Sequence, residues 1–203
     1  MEKIPRLYDQ ASLRVLGALL EKEQTTPDQY PMTLNAIIAA CNQKTAREPV
    51  MELSDGDVAS ALKRLFEDVL VWRTESARST RWRQSVERRW HLQPATKAVM
   101  ALLLLRGPQT VGELRSRSER LHAFGSIAEV EQALARLAEP PEPLVAELAR
   151  APGQKETRWT HLVGEEVPVA AAPLRVERAA THEMEERVAA LERRVAELER
   201  MRS

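Results

Sequence analysis

The chain has 203 residues, room for one large or two small domains, and 43% of its side chains are apolar, enough to build cores. Its 30 basic and 30 acidic residues cancel, so attraction of the whole molecule to nucleic acid or to an anionic membrane is excluded, and any basic surface must be local. The lone cysteine, Cys41, excludes intramolecular disulfides and cysteine-based zinc sites.

The opening residues, MEKIPRLYDQ, carry no apolar signal core, and no apolar run approaches the ~18 residues of a membrane-spanning helix. A soluble, cytoplasmic bacterial protein without membrane contact is expected. Leu13, Leu16, Leu19 and Leu20 recur at helical spacing and predict an amphipathic first helix. After the Pro-bounded turn TTPDQYP, Met32, Leu34, Ile37, Ile38 and Cys41 predict a second. Ser54 is the expected N-cap of a third, with Asp55 and Asp57 in its first turn and Val58, Ala61, Leu62, Leu65 and Val69 as its buried stripe. Two strand-like runs follow, Val71–Glu75 and Arg81–Leu92, the second interrupted by charge.

The same order then returns. VLGALLEK at 15–22 matches VMALLLLR at 99–106, an offset of 84, and DVASALKRL at 57–65 matches EVEQALARL at 129–137, an offset of 72. The first copy therefore holds 84 − 72 = 12 extra residues between these helices. The second unit reads as helices at 96–106, 110–117 and 126–138 and strands at 144–149 and 157–163. Three helices and two strands, in tandem, predict a mainly α, α+β chain of two winged helix-turn-helix domains at 1–93 and 94–163. A Pro- and Ala-rich linker at 164–180 and a short helix at 181–203 follow. In that helix Val188 and Val195 take the a positions of a heptad, and Met184, Leu191 and Leu198 the d positions. Arg187 and Arg194 at g face glutamates at e only if the strands run parallel, so parallel self-pairing is expected; a solvated tail helix, or one docked on its own chain, is the alternative.

The stretch VLGALLEKEQTTPDQYPMTLNAIIAACNQKTAREPV closely resembles the opening of the YceH-like family of bacterial proteins. LLLLRGPQTVGELRSRSERLHAF, EVEQALARL and PGQKETRWTHL fit the same family in the same order. The resemblance covers roughly residues 10–163 and implies tandem winged-helix domains. It carries no chemistry, cofactor or site residue. The segment VWRTESARSTRWRQSVERRWHLQPAT departs from it in its wealth of Arg and Trp.

No convergent set of nucleophile, base or metal ligands stands out. The four histidines form no i, i+4 ligand pair, the paired carboxylates sit at a helix start or in the linker, and no Gly-rich phosphate loop occurs. A non-enzymatic protein with no cofactor is expected, with Cys41 a buried structural thiol. The tryptophans read as strand packing, with base stacking the lesser reading for Trp82 between Arg81 and Arg83.

The third helices argue against readout of bases. Residues 55–68 hold four acidic and two basic side chains, and residues 129–139 three and one, a net −2 in each. The first wing is the opposite: Arg73, Arg78, Arg81, Arg83, Arg88 and Arg89 against Glu75 and Glu87 give +4. With Lys44 and Arg47 these residues form the expected nucleic-acid surface, one that holds duplex DNA by its phosphates and is sensitive to salt. Arg115, Arg117 and Arg120 are candidates to extend it. The chain has 24 Arg and six Lys, and a GC-rich genome is the competing source of that bias. Two functions follow: a dimeric DNA-associated protein, with transcriptional regulation as a subset, or a protein-interaction module in which winged helices serve assembly without DNA.

Overall fold

Helix starts follow the side chains able to accept from free backbone amides. In the computed structural model, which describes residues 7–75, 79–150 and 153–165, Asp9 caps α1 (Gln10–Thr25) by accepting from the Ser12 amide at 2.7 Å. Thr33 caps α2 (Leu34–Cys41) in the same way. Ser54 and Asp57 close a reciprocal capping box on α3 (Asp55–Glu67). β1 (Val71–Glu75) and β2 (Thr80–Gln84) pair antiparallel, and a short helix α4 (Val86–Trp90) follows.

The second half opens with Pro94 in the first turn of α5 (Pro94–Arg106). Thr110 and Glu113 box the start of α6 (Val111–Ser118), and Ser126 caps α7 (Ile127–Leu137). β3 (Val145–Leu148) and β4 (Arg158–His161) form a second two-stranded antiparallel sheet. The architecture is mixed α/β, and no described helix is long and apolar enough to cross a membrane.

The internal repeat extends to backbone pairing. The residue before the N-cap of each second helix adds a strand-like bridge to the nearby sheet. Met32 exchanges both backbone hydrogen bonds with Trp82, at 2.9 and 2.7 Å, and Gln109 does so with Trp159, at 3.0 and 2.8 Å. Both members are displaced by the same step, 109 − 32 = 77 and 159 − 82 = 77.

One element differs from expectation. The run Arg81–Leu92 is not one strand: β2 ends at Gln84 and α4 takes over. The Gln84 side chain causes the break. Its Oε1 accepts from the Val86 amide at 2.9 Å while its Nε2 donates to Glu23, and the Ser85 amide turns to the Leu70 carbonyl.

The halves share one core through α1 and α5. α5 is buried at every position from Thr96 to Leu105, apolar on nearly all sides, as a helix enclosed by its neighbours must be. A Cβ at Gly17 of α1 would lie 2.9 Å from Leu105 Cγ, so glycine is what lets the two helices come this close. The N-terminal segment ties the ends together. The Tyr8 amide donates to Val163, the Glu165 amide donates back to Tyr8, and Arg64 of α3 donates to the Leu7 carbonyl and to Glu165. Gly164 and Glu165, which composition assigned to the linker, thus belong to the packed body. The coil positions Met184, Val188, Leu191, Val195 and Leu198 lie outside the described residues.

Candidate nucleic-acid interface

The β1–β2 sheet sorts its side chains by register. Trp72 stands opposite Arg83 and Thr74 opposite Arg81, so these four share a face, and all four are exposed. The other face carries the buried Val71 and Gln84, then Arg73 opposite the half-buried Trp82. Phe66 of α3 anchors the sheet: Trp82 meets it edge-on at 6.2 Å, Trp72 tilts over it at 5.7 Å, and the Arg73 guanidinium lies 5.3 Å from its centre.

Each expected contact residue can now be placed. Arg81 donates to the Pro31 carbonyl at 3.0 Å, which orients its guanidinium without neutralising it. Arg83 and Arg88 are exposed and have no ion pair among the described residues. Arg89 is half-buried in α4, and Arg73 pairs with the exposed Glu75 at 3.4 Å. Arg78 lies outside the described residues.

Lys44 is exposed in the loop after α2, where it shares a recess with Lys22, Arg106 and Arg120 and belongs to a different surface from the sheet. Arg47 must be removed from the set. It is only 5% exposed, and its guanidinium holds both oxygens of Glu21, at 3.1 and 2.6 Å, and the Ala40 carbonyl. Its charge is matched inside the protein and cannot reach a phosphate.

Trp72 is the aromatic residue the sequence reading missed. Trp82, flanked by arginines in sequence, points inward, whereas Trp72 is 45% exposed on the arginine face. The alternation of β1 carried the signal, since Val71 must face the core and Trp72 therefore away from it.

α3 presents little to attract phosphate. Ala59, Ser60 and Lys63 are exposed, with Asp55 and Glu67 beside them. Its other cation, Arg64, is held by Leu7, Asp9 and Glu165. Hydrogen bonds from Ser54 hold the Asp57 carboxyl below its ordinary range, so it stays charged at the helix start.

Behind this surface the buried ionic groups are structural. Lys97 bridges Glu23 at 2.7 Å and Glu87 at 2.6 Å, tying α5 to α1 and α4. Burial opposes its charge, but the two carboxylates outweigh burial and raise its pKa. Arg14, fully buried, donates to the Cys41 and Pro49 carbonyls; the carbonyl end of α2 is the negative end of the helix, which compensates the cation. Cys41 is buried, and burial pushes its thiol up to about 12, so it is an un-ionised core side chain. Tyr30 anchors the TTPDQYP turn, its hydroxyl accepting from the Gln84 amide.

A family described as "Protein of unknown function, DUF480" matches residues 8–154. The chain is 48% identical over 200 residues to a UPF0502 protein of Azoarcus sp. (strain BH72), covering 94% of this chain and 88% of that one. It is 46% identical over 197 residues to a UPF0502 protein of Geobacter sulfurreducens, covering 95% and 90%. A UPF0502 protein of Solibacter usitatus is 48% identical over 195 residues, covering 95% and 93%. The chain belongs to the bacterial DUF480/UPF0502 family.

Proposed function

We propose that the chain is a tandem winged-helix protein of the YceH-like type that holds duplex DNA by its phosphates through the outer face of the first sheet. The observation that supports it most is the single exposed face shared by Arg81, Arg83 and Trp72, with Arg88 following in α4. Two unmatched guanidinium groups supply salt-sensitive attraction, and an exposed indole supplies contact area. The composition of α3 supports backbone binding over base readout, since Lys63 is its one exposed cation. Self-pairing through the 181–203 helix belongs to the same reading and would set two such wings on one duplex; sedimentation mass checks it.

The test is fluorescence anisotropy of random-sequence duplex, titrated with the full chain at several salt concentrations. Affinity should fall with rising salt. The double substitution Arg81→Gln with Arg83→Gln should weaken binding about tenfold or more and lower the log–log salt slope by about 2, roughly one per lost phosphate contact. A double variant that binds as the parent does would sink the wing assignment. No binding by the parent even at low salt would favour the second reading, a protein-interaction module. The exposed Trp72 and Val69, each 45% exposed, are the observation favouring that reading.

A further inference from the structure

A second basic surface lies away from the sheet, in a recess between the halves. Its walls are the last turn of α1, the loop after α2, the end of α5 and the end of α6. Lys22, Lys44, Arg106, Arg117 and Arg120 line it against one carboxylate, Glu21, a balance of 5 − 1 = +4. Both oxygens of Glu21 already accept from Arg47, and Lys22 reaches it only at 3.5 Å. Arg117 has no closer carboxylate: Glu113 lies 3.5 Å away and is held more tightly by Arg158, at 3.0 Å. Arg120 and Lys44 are exposed and have no ion pair among the described residues.

Arg106 is the centre of the surplus. It ends α5, and its Nε is buried with no hydrogen-bond partner among the described residues. A buried donor left without an acceptor is costly, and more so on a charged group. The volume, about 510 Å³, falls in the range of small-ligand sites.

We propose that this recess binds a small phosphorylated anion, whose oxygens accept from Arg106, Arg117 and Arg120, with Lys22 and Lys44 completing the charge. Guanidinium forks match phosphate geometry, which the lysines alone would not select. Burial, then the neighbouring Arg117 and Arg47, hold the Arg106 pKa below its ordinary value, a repulsion that a bound anion relieves. The recess is concave, whereas duplex grooves receive helices or ribbons that protrude. The site is independent of the DNA reading, since no residue of the first sheet lines it.

The test is calorimetric titration of the full chain with inorganic pyrophosphate, ionic strength held constant with chloride. The parent should bind one equivalent. Arg106→Gln and Arg120→Gln should each weaken binding by about tenfold or more, as loss of a charge-assisted contact does. Lys44→Gln, in an exposed loop where folding is not at risk, should weaken it about threefold, and Arg83→Gln should leave it unchanged. Absence of heat at millimolar pyrophosphate overturns the proposal, as does equal binding by the parent and all three recess variants. A chain that ignores pyrophosphate, but whose hold on duplex weakens with Arg106→Gln, would assign the recess to nucleic acid and reject the small anion.

Discussion

The two halves repeat one order of elements and present opposite surfaces. In the first sheet seven of the ten strand residues are exposed, and the outer face is cationic and aromatic. In the second sheet Glu147 alone among the eight strand residues is exposed, and it is acidic. The second sheet's arginine is turned inward: Arg158 donates to the Pro108 carbonyl at 2.9 Å and to Glu113 at 3.0 Å. A repeated scaffold thus exposes one copy of its sheet face and absorbs the other into the body. The comparison can be tested half against half.

The largest difference expected is between the ionic ties that brace each half. In the first half, the Arg47 side chain is fully enclosed and Glu21 nearly so, at 0% and 14% exposure. Burial raises the pKa of Glu21, but the Arg47 bonds overcome it and leave the carboxyl below its ordinary range. Arg47→Ala would leave that buried carboxylate with Lys22 alone, at 3.5 Å, and equilibrium urea unfolding should show a loss of about 3 kcal/mol. An ion pair of the second half, Arg158 to Glu113, is about one-third exposed on each partner. Arg158→Gln should cost less than about 1 kcal/mol. Equal losses at the two positions would show that the halves are braced alike.

The next contrast lies at one position of the repeat. Gln84 and His161 are displaced by 161 − 84 = 77, and each ends a second strand. Gln84 is buried and fully bonded, to Glu23, Val86 and Tyr30. His161 is buried with its Nδ1 unpartnered, and burial pulls its pKa from 6.5 down to about 4. The folded value lies below the unfolded one, so the unfolded chain takes up the proton first. The contribution is therefore complete above pH 6.5 and declines as pH falls toward 4. At pH 5 the loss relative to pH 7 should be about 2 kcal/mol by urea unfolding, and His161→Gln, which copies the first half, should flatten it. An unchanged slope in that variant would remove His161 as its cause.

The sequence made the scaffold legible and half of the candidate surface. Val58, Ala61, Leu62 and Leu65 lie on one buried face of α3 as expected, and Ser54 marks its start through contacts within four residues, whereas Val69, expected in the same stripe, lies past the helix end and is exposed. Such local signals survive in a single sequence. Arg47 could not be read because its partner, Glu21, is 26 positions away, and local charge says nothing of burial. α4 escaped because Gln84 ends the strand through Glu23, 61 positions distant. Arg81 and Arg83 were legible as a charged run, but their sharing a face with Trp72 rather than Trp82 is a matter of strand register.

Affinity for DNA sharpens the contrast between the sheets. If one exposed face carries the interaction, Arg158→Gln should leave random-duplex affinity within about twofold of the parent, against the tenfold loss expected for the Arg81 and Arg83 pair. A comparable loss at Arg158 would place both sheets at the interface.

The smallest effect tests whether the first half gives up stability for its exposed face. α3 ends in a Schellman turn: the Leu70 amide donates to Leu65 and the Val69 amide to Phe66. The position between calls for glycine, but Val69 sits there at φ 60°, where a β-branched side chain is strained. α7 ends differently, at Ala138 before Glu139 and a Pro pair, and neither Ala138 nor Glu139 has a positive φ. Val69→Gly should stabilise the chain by about 0.5–1 kcal/mol, the relief of strain exceeding the added freedom of the unfolded glycine. The 45% exposed Val69 side chain lies three residues from Trp72, so duplex affinity belongs in the same experiment. A gain in stability with unchanged affinity would mark Val69 as a cost without return, whereas a gain paired with weaker binding would make the strained side chain part of the surface that distinguishes the first half from the second.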